Sequence, residues 1–462
     1  MQKKSRPRRV IASLLVLMIL GFIIYVAWNV LPMVSGYGAK NLCSCVFVAQ
    51  RNDSDVIKNE LDFLPVKWGN YKVDYANKTV TGNVLGLANQ KAIFRNGYGC
   101  TLVNDLTEEE IRSEPDDFPH FKQPDSLSSV FWPDGDVLLP SFAALDSSAL
   151  LRAVDEAFQD PDPEQLKRTR AVVVVHNGKI IAEQYASGFS ADSKLMGWSM
   201  TKSVTSALIG IAVKKQLLNI EKPAPVNELR NATDSRNLIS TKNLLQQTSG
   251  IEFKEIYSRP SEVTRMLFKE GNMAAFTASL NAEEVPGIKQ YYSSGNTNIL
   301  MSVLRNIVPA SEYHAFPYRE LFHKLGMRSA IIETDAAGNF VGSSYMYATA
   351  RDWARFGLFY LKKGNWNGEQ ILPENWVSES VKPALGNSPI QYGYQWWLNT
   401  ANDAGIRKYP GLPADLYYAD GYENQFVFII PSKNLVIVRL GLTKGKYFDE
   451  EKFVASIINS IK

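Results

Sequence analysis

Ser199 and Lys202 stand three residues apart in Gly197-Trp198-Ser199-Met200-Thr201-Lys202-Ser203-Val204. The stretch reads as a helix opening, polar at first and then apolar with small residues as far as Ala212. Side chains three apart on a helix share one face. A serine hydroxyl is a weak nucleophile until a neighbour takes its proton. A lysine can take it once burial and nearby charge leave the amine neutral. Backbone N–H groups at a helix start favour negative charge developing beside the serine. By itself S-x-x-K is a weak motif, and it equally describes a polar helix start with an exposed lysine.

Three later stretches bear on it. Leu244-Leu245-Gln246-Gln247-Thr248-Ser249-Gly250 is a helix end closed by glycine. Tyr291-Tyr292-Ser293-Ser294-Gly295-Asn296 is a polar loop running into a helix. A tyrosine near a cationic lysine can act as phenolate or proton relay, and Ser294, two positions on, can hydrogen-bond a substrate. Without the serine, Tyr292 reads as a ring packed under a loop. Tyr418-Ala419-Asp420-Gly421-Tyr422-Glu423-Asn424-Gln425 leads through Phe426–Ile430 and a Pro431-Ser432-Lys433-Asn434 turn to a second strand, Leu435–Leu440. An edge strand beside the serine offers a backbone N–H as second donor of an oxyanion hole. Taken alone, it is an ordinary core hairpin.

The elements that must position these groups follow from periodicity. Leu145–Phe158 has helical spacing, with Leu145, Leu150, Leu151, Val154 and Phe158 apolar. Arg170–Tyr185 reads as a β-hairpin about Asn177-Gly178. A hairpin feeding a helix that opens at Ser199 implies an antiparallel sheet beside helices. Residues 33–144 read as an irregular N-terminal extension packed on the main domain, with Val46–Val48 as one short strand. Ala92–Val103 suggests two more, joined at Asn96-Gly97. Glu108–Glu110 and Glu114–Asp117 read as solvated charges, His120 as packing and His176 as a strand end. Trp396 and Trp397 either line the cleft or fill the core, and core is the simpler reading.

Composition is globular, 45% hydrophobic and 21% charged. A net charge of +3 with no basic stripe argues against nucleic acid as partner. Four scattered histidines and Cys43-x-Cys45 with a distant Cys100 lack metal-ligand spacing, so no metal or cofactor is expected. If this region is exported, Cys100 can pair with either Cys43 or Cys45.

Lys3, Lys4, Arg6, Arg8 and Arg9 form a basic tail, residues 1–9, before an uncharged run over 10–32 of about the length that crosses a bilayer as a helix. No cleavage site of the A-x-A type follows, which argues against a cleaved signal peptide. The basic cluster is expected in the cytoplasm and the remainder outside, periplasmic or extracellular, with Tyr25 and Trp28 at the membrane interface. Leu42-Cys43-Ser44-Cys45 lies too far from the run for a lipoprotein cleavage box.

In this order, Ser199-Met200-Thr201-Lys202, Gln247-Thr248-Ser249-Gly250, Tyr292-Ser293-Ser294 and the Gly421 strand resemble the serine β-lactamase and penicillin-binding-protein superfamily. Within it the pattern is similar to class C β-lactamase-related serine hydrolases, including 6-aminohexanoate-dimer hydrolase-like proteins and esterases. Phe322–Met327, Ala348–Gly357 and Trp366–Pro373 carry the resemblance further, so that it covers residues 145–460. It implies an α+β fold of the β-lactamase/transpeptidase type: an antiparallel sheet flanked by helices, with a mainly helical subdomain, here preceded by a transmembrane helix. It also implies a Ser199 acyl-enzyme, Lys202 as proton acceptor and Tyr292 as relay. Ser294, Asp420, Gly421 and Tyr422 would meet a small-molecule or peptide-like ester or amide.

The sequence departs from the family pattern at two places. Ser294 stands where class C enzymes usually have asparagine. Ala419-Asp420-Gly421 stands where β-lactamases have Lys-Thr-Gly, or Tyr422-Glu423-Asn424 does in a shifted register. Neither register supplies a lysine for an anionic carboxylate, and Asp420 or Glu423 would repel one. The expectation is therefore a neutral or amine-bearing substrate rather than a β-lactam. A penicillin-binding-like protein with slow deacylation, or a catalytically weak envelope binding protein, is the alternative. An α/β-hydrolase is set aside, because Gly197-Trp198-Ser199-Met200-Thr201 lacks the second glycine of the nucleophile elbow.

Overall fold

The computed structural model describes residues 6–114, 118, 130–138, 147–385 and 388–461. His120, Pro115–Asp117, Leu145, Lys3 and Lys4 lie outside them. The chain divides into two compact units that do not follow the boundaries at 32 and 144. One holds residues 1–95, 99–114 and 254–271, and the other holds 96–98, 115–253 and 272–462.

The first unit begins with one continuous helical run: α1 (Arg6–Tyr25), a π-turn (Val26–Val30), α2 (Leu31–Cys43) and a second π-turn (Ser44–Val48). Its two halves meet different surroundings. Apolar side chains from Val10 to Tyr25 are 49–66% exposed, whereas from Met33 onward the helix is buried. The buried half packs on an antiparallel sheet, β1 (Gly69–Asp74), β2 (Thr79–Val84), β3 (Leu87–Arg95) and β4 (Gly99–Leu102), paired in that order. Small residues allow the approach. A Cβ on Gly38 would lie 2.1 Å from the Tyr71 ring, so a larger residue would push the helix off the sheet.

Ser35 Oγ donates to the Ala88 carbonyl at the start of β3 (2.6 Å), and a Cys43–Cys100 disulfide ties the far end of α2 to β4. Cys45 is buried outside that bond. The helix Glu262–Lys269 completes the unit, with Phe268 against Tyr37. The two strands expected around Asn96-Gly97 are present. Val46–Val48 is not a strand but the last helical turn, because three apolar residues carry no period and the helix before them sets their conformation.

The second unit is built on a six-stranded antiparallel sheet. Its strands are β5 (Thr169–His176), β6 (Lys179–Tyr185), β7 (Trp397–Leu398), β8 (Tyr417–Gly421), β9 (Gln425–Ile430) and β10 (Leu435–Gly441), ordered β7-β8-β9-β10-β5-β6. Asn177 and Gly178 both take positive φ, which closes the β5–β6 hairpin as the sequence suggests. β5 reads as an unbroken valine run because both its faces are covered. Val172 and Val174 join a cluster with α3 (Ser147–Phe158) and α7 (Glu450–Ser460). Val173 and Val175 face the larger core that contains α4 (Thr201–Lys214), α5 (Ser294–Ile307) and α6 (Ala350–Leu361). Leu151 lies on the outer side of α3, 60% exposed, rather than in the core.

Between α4 and β8 the chain is mainly helical, as expected. A small three-stranded sheet pairs Leu195–Met196 with Met346–Ala348, which also pairs with Ile331–Ile332.

Candidate active site

The small sheet delivers the chain to Ser199. Gly197 N–H donates to the Met346 carbonyl (2.8 Å), and a 3₁₀ turn, Trp198–Met200, then leads into α4. Trp198 takes φ +48°, a left-handed conformation that a bulky residue adopts only when its surroundings impose it. Thr201 Oγ1 caps the Trp198 carbonyl (2.6 Å), and the indole sits between Tyr345 and Tyr422. The result is a partly accessible Ser199 at the head of a buried helix.

Lys202 is 1% exposed. Its Nζ lies 2.9 Å from Ser199 Oγ, 3.0 Å from Ser294 Oγ and 2.9 Å from the Ser343 carbonyl. It also stands 4.9 Å from the centre of the Tyr292 ring. Tyr292 stacks on Trp397 (5.1 Å) and meets Tyr392 edge-on (5.8 Å).

One residue brackets that tyrosine with its backbone and its side chain. The Gln247 carbonyl accepts from Tyr291 N–H (2.8 Å), while Gln247 Oε1 accepts from Ser293 N–H (3.0 Å) and Asn296 Nδ2 (2.9 Å). Gln247 is held in turn by Gln395 Oε1 (3.3 Å) and has φ +61°. Ser249 Oγ donates to Asn296 Oδ1 (2.7 Å), so the helix end carrying Gln247 and the start of α5 are joined twice.

Gly421, at the end of β8, runs against the nucleophile turn. A Cβ there would stand 2.2 Å from the Gly197 carbonyl, so only glycine fits. Among the described residues, β8 meets β7 only at Tyr417 and Tyr418, and Ala419–Gly421 have no strand on that side. Tyr422 follows with its ring 5.5 Å from Trp198 and remains 43% exposed.

Asp420 is placed differently. Alternation along β8 puts it across from Phe426, on the sheet face of Tyr418 and Phe428. Burial, and then Glu450, push its carboxyl up to about 7, against the opposing pull of Lys408 and Lys202.

The structure thus gathers Ser199, Lys202, Tyr292 and Ser294 in one place, with Gly421 and Tyr422 along its rim and Asp420 on the other sheet face. Sequence reasoning preferred the core for Trp397, which lines the site, and missed Ser343 and the bracket formed by Gln247. Trp396 immediately precedes β7 and Trp397 opens it, and the two rings go to different places. Trp396 fills the core against Phe356 and Tyr360, while Trp397 covers Tyr292. Ser343 contributes a backbone carbonyl, which leaves no trace in residue type. Among the described residues, no group of His, Cys, Asp or Glu is arranged to hold a metal ion.

Comparison with known proteins fits this geometry. The chain is 24% identical over 306 residues to a 6-aminohexanoate-dimer hydrolase of Paenarthrobacter ureafaciens, covering 61% of this chain and 75% of that protein. Its fold is similar to that of EstCE1, a hydrolase with promiscuous acyltransferase activity (TM-score 0.55, 15% identity, 68% of this chain and 99% of that one). It is also similar to that of a family VIII carboxylesterase (TM-score 0.54, 13% identity, 69% and 98%). A sequence model of the family described as Beta-lactamase matches residues 154–455, about two thirds of the chain, and with that match the chain belongs to the β-lactamase family of serine hydrolases.

Proposed function

We propose that this hydrolase cleaves an ester or amide through an acyl-enzyme on Ser199, within a domain spanning residues 145–460. The observation that carries the reading is the 2.9 Å approach of a buried Lys202 Nζ to Ser199 Oγ. Removing an amine from water favours its neutral form, the form that can accept a proton. Ser199 Oγ attacks the substrate carbonyl as its proton passes to Lys202 Nζ. The oxyanion is met by the Ser199 N–H and an N–H from the open stretch of β8. Collapse of the tetrahedral intermediate breaks the C–O or C–N bond, and the proton returns through the Tyr292 hydroxyl to the leaving group. A water then attacks the acyl carbonyl and gives its proton to the same pair; the Ser199 Oγ–C bond breaks, Oγ takes that proton back, and the acid leaves. Ser294 holds Lys202 and faces the substrate, and Gly421 and Tyr422 line the opposite rim.

The substrate is a neutral or amine-bearing ester or amide. The chain offers no lysine where β-lactamases have Lys-Thr-Gly to hold an anionic carboxylate. The relatives' names, a hydrolase of the 6-aminohexanoate dimer and a carboxylesterase, agree with an amide or ester as the bond cleaved. The apolar helix anchors the chain in the cell membrane with the basic tail inside and the hydrolase outside. Its uncharged exposed length and the Cys43–Cys100 disulfide, a bond of oxidising compartments, support that placement.

Intact-protein mass after exposure to a fluorophosphonate, together with turnover of a short p-nitrophenyl ester, tests the mechanism. Labelling and turnover in the native chain, both lost in Ser199→Ala and Lys202→Ala, are expected. A folded chain that neither labels at Ser199 nor turns over refutes the reading. Labelling without turnover would instead indicate a slow-deacylating, penicillin-binding-like protein. Faster turnover of an anionic ester than of its neutral and amine-bearing counterparts would refute the substrate class.

A further inference from the structure

The β2–β3 hairpin of the first unit turns through Leu85-Gly86, with Val84 paired to Leu87. Both turn residues have positive φ, +53° at Leu85 and +75° at Gly86. Asn-Gly or Asp-Gly is the usual choice for such a turn, because asparagine tolerates the left-handed conformation and its side chain suits water. Here a leucine occupies the strained position and is 77% exposed, with Leu87 beside it at 53%. Strain and exposed apolar area both cost stability; Asn83 Oδ1 accepts from Gly86 N–H (3.0 Å) and steadies the turn, but it covers neither leucine.

The surroundings of the tip supply a reason. Register continues Trp68 to the position across from Leu85, since Gly69 pairs with Val84. Trp68 is also exposed, as is Leu64 just before it. The Val26–Val30 π-turn packs against β3. Ser35 bonds to Ala88, which places the tip a few residues down the helix, towards Trp28. Lys269 Nζ reaches the Trp28 carbonyl (3.3 Å), and Lys67 is exposed beside Trp68. Leucines, tryptophans and lysines therefore cluster at one end of the unit, the end where the bare apolar helix leaves it. The opposite end of the sheet carries the polar β1–β2 turn, Tyr75-Ala76-Asn77-Lys78.

We infer that this end is a second membrane contact, a collar that seats Leu85 and Leu87 in the headgroup–acyl boundary of the bilayer crossed by α1. The inference rests on reading α1 as a membrane span, and continuity with that helix selects lipid as the occupant. From Val10 to Trp28 the helix rises about 27 Å at 1.5 Å per residue, close to the hydrocarbon thickness of about 30 Å. Trp28 then falls at the interface, where tryptophan is favoured, and the hairpin tip lies at the same level. Lys67 and Lys269 are placed to meet anionic headgroups.

The test uses the full chain in nanodiscs of phosphatidylcholine with phosphatidylglycerol. A nitroxide is attached at Leu85→Cys, Leu87→Cys, Val16→Cys or Tyr75→Cys, and collision with oxygen is compared with collision with an aqueous nickel chelate. Position 16 should read as deep in lipid and position 75 as fully aqueous, with 85 and 87 between them. If 85 and 87 match 75 while 16 is in lipid, the anchor stands and the collar is wrong. If 16 is aqueous as well, the anchor reading fails and the collar with it. Shielding of 85 and 87 from both reagents would overturn the proposal in favour of a protein covering the tip, a second copy included.

Discussion

Two helices of this chain are apolar on every side, and they meet opposite fates. α1 presents Val10–Tyr25 to the outside around its whole circumference. α4 is equally wrapped in apolar residues, yet every residue from Thr201 to Ala212 is buried. What separates them is how their polar groups are treated. Along α4 each of several polar side chains has a specific acceptor: Ser203 Oγ donates to the Gln395 carbonyl (2.7 Å) and Thr205 Oγ1 to the Gly342 carbonyl (3.0 Å). Lys202 is fixed by three oxygens. Such contacts need surrounding protein, and they make α4 a place where a charge or a nucleophile can be held. α1 needs only a medium as apolar as itself. An all-round apolar helix thus signals immersion, and its embedded polar residues tell which solvent it is immersed in.

The sharpest way to break this comparison is to put the same charge into both helices. Leu208→Asp buries an unpaired carboxylate at a fully buried site, and it should abolish folding of the hydrolase unit, read as loss of the thermal transition. Leu17→Asp alters an exposed position, so the melting temperature in detergent should stay unchanged. Membrane insertion should instead weaken by about 2.5–3.5 kcal/mol, read in an insertion assay. Equal loss of folding from both would show that α1 is a protein-packed helix.

Next in size are effects on catalysis. Lys202→Ala should lower kcat for a soluble ester by at least about a thousandfold, since nucleophile and base act as a unit. Removing residues 1–30 should convert the chain from integral to weakly peripheral, released from membranes by high salt or alkaline wash, and leave kcat unchanged. Gln247→Leu removes the acceptor that holds Ser293 N–H and Asn296 while keeping the volume. A displacement of Tyr292 by about 1 Å would cost up to about a hundredfold in kcat. A loss of melting temperature with unchanged kcat would instead make Gln247 purely structural.

The comparison also explains what could be read in advance. The β5–β6 hairpin was legible because Asn177-Gly178 and the valine run are local signals. The β9–β10 hairpin was legible for the same reason, its turn ending at Asn434 with φ +47°. The order of S-x-x-K, Tyr292 and Gly421 made the fold class legible. The continuation of the first helix to Val48 was not: its buried half is rich in glycine and serine, poor helix formers that are there for close packing on the sheet. Nor was the assignment of residues 254–271 to the first unit, since it depends on long-range packing. In the candidate site, Trp397 was obscured by its neighbour Trp396, and the Ser343 carbonyl has no sequence signature. Asp420 was placed in the right strand without the alternation that turns it to the other face.

That face gives the smallest expected effect. Asp420 ionises at about 7 in the folded chain and near 4 when unfolded, so between those pH values the folded state holds a proton that the unfolded state has lost. Stability should therefore fall as pH rises from about 4 to about 7 and level off above. Asp420→Asn should flatten this decline, raising the melting temperature at pH 8 and leaving it unchanged at pH 4. The same variant tests whether the carboxylate acts across the sheet on substrate. If it does, the preference for an amine-bearing over a neutral ester should grow through pH 7 in the native chain and stay flat in Asp420→Asn. A flatter stability profile with an unaltered preference would confine Asp420 to the fold and leave substrate charge to be sensed by Glu423 or Tyr422. In both helices and in this strand, a polar group placed among apolar residues matters for which neighbours reach it, and pH is the mildest way to switch one of them off.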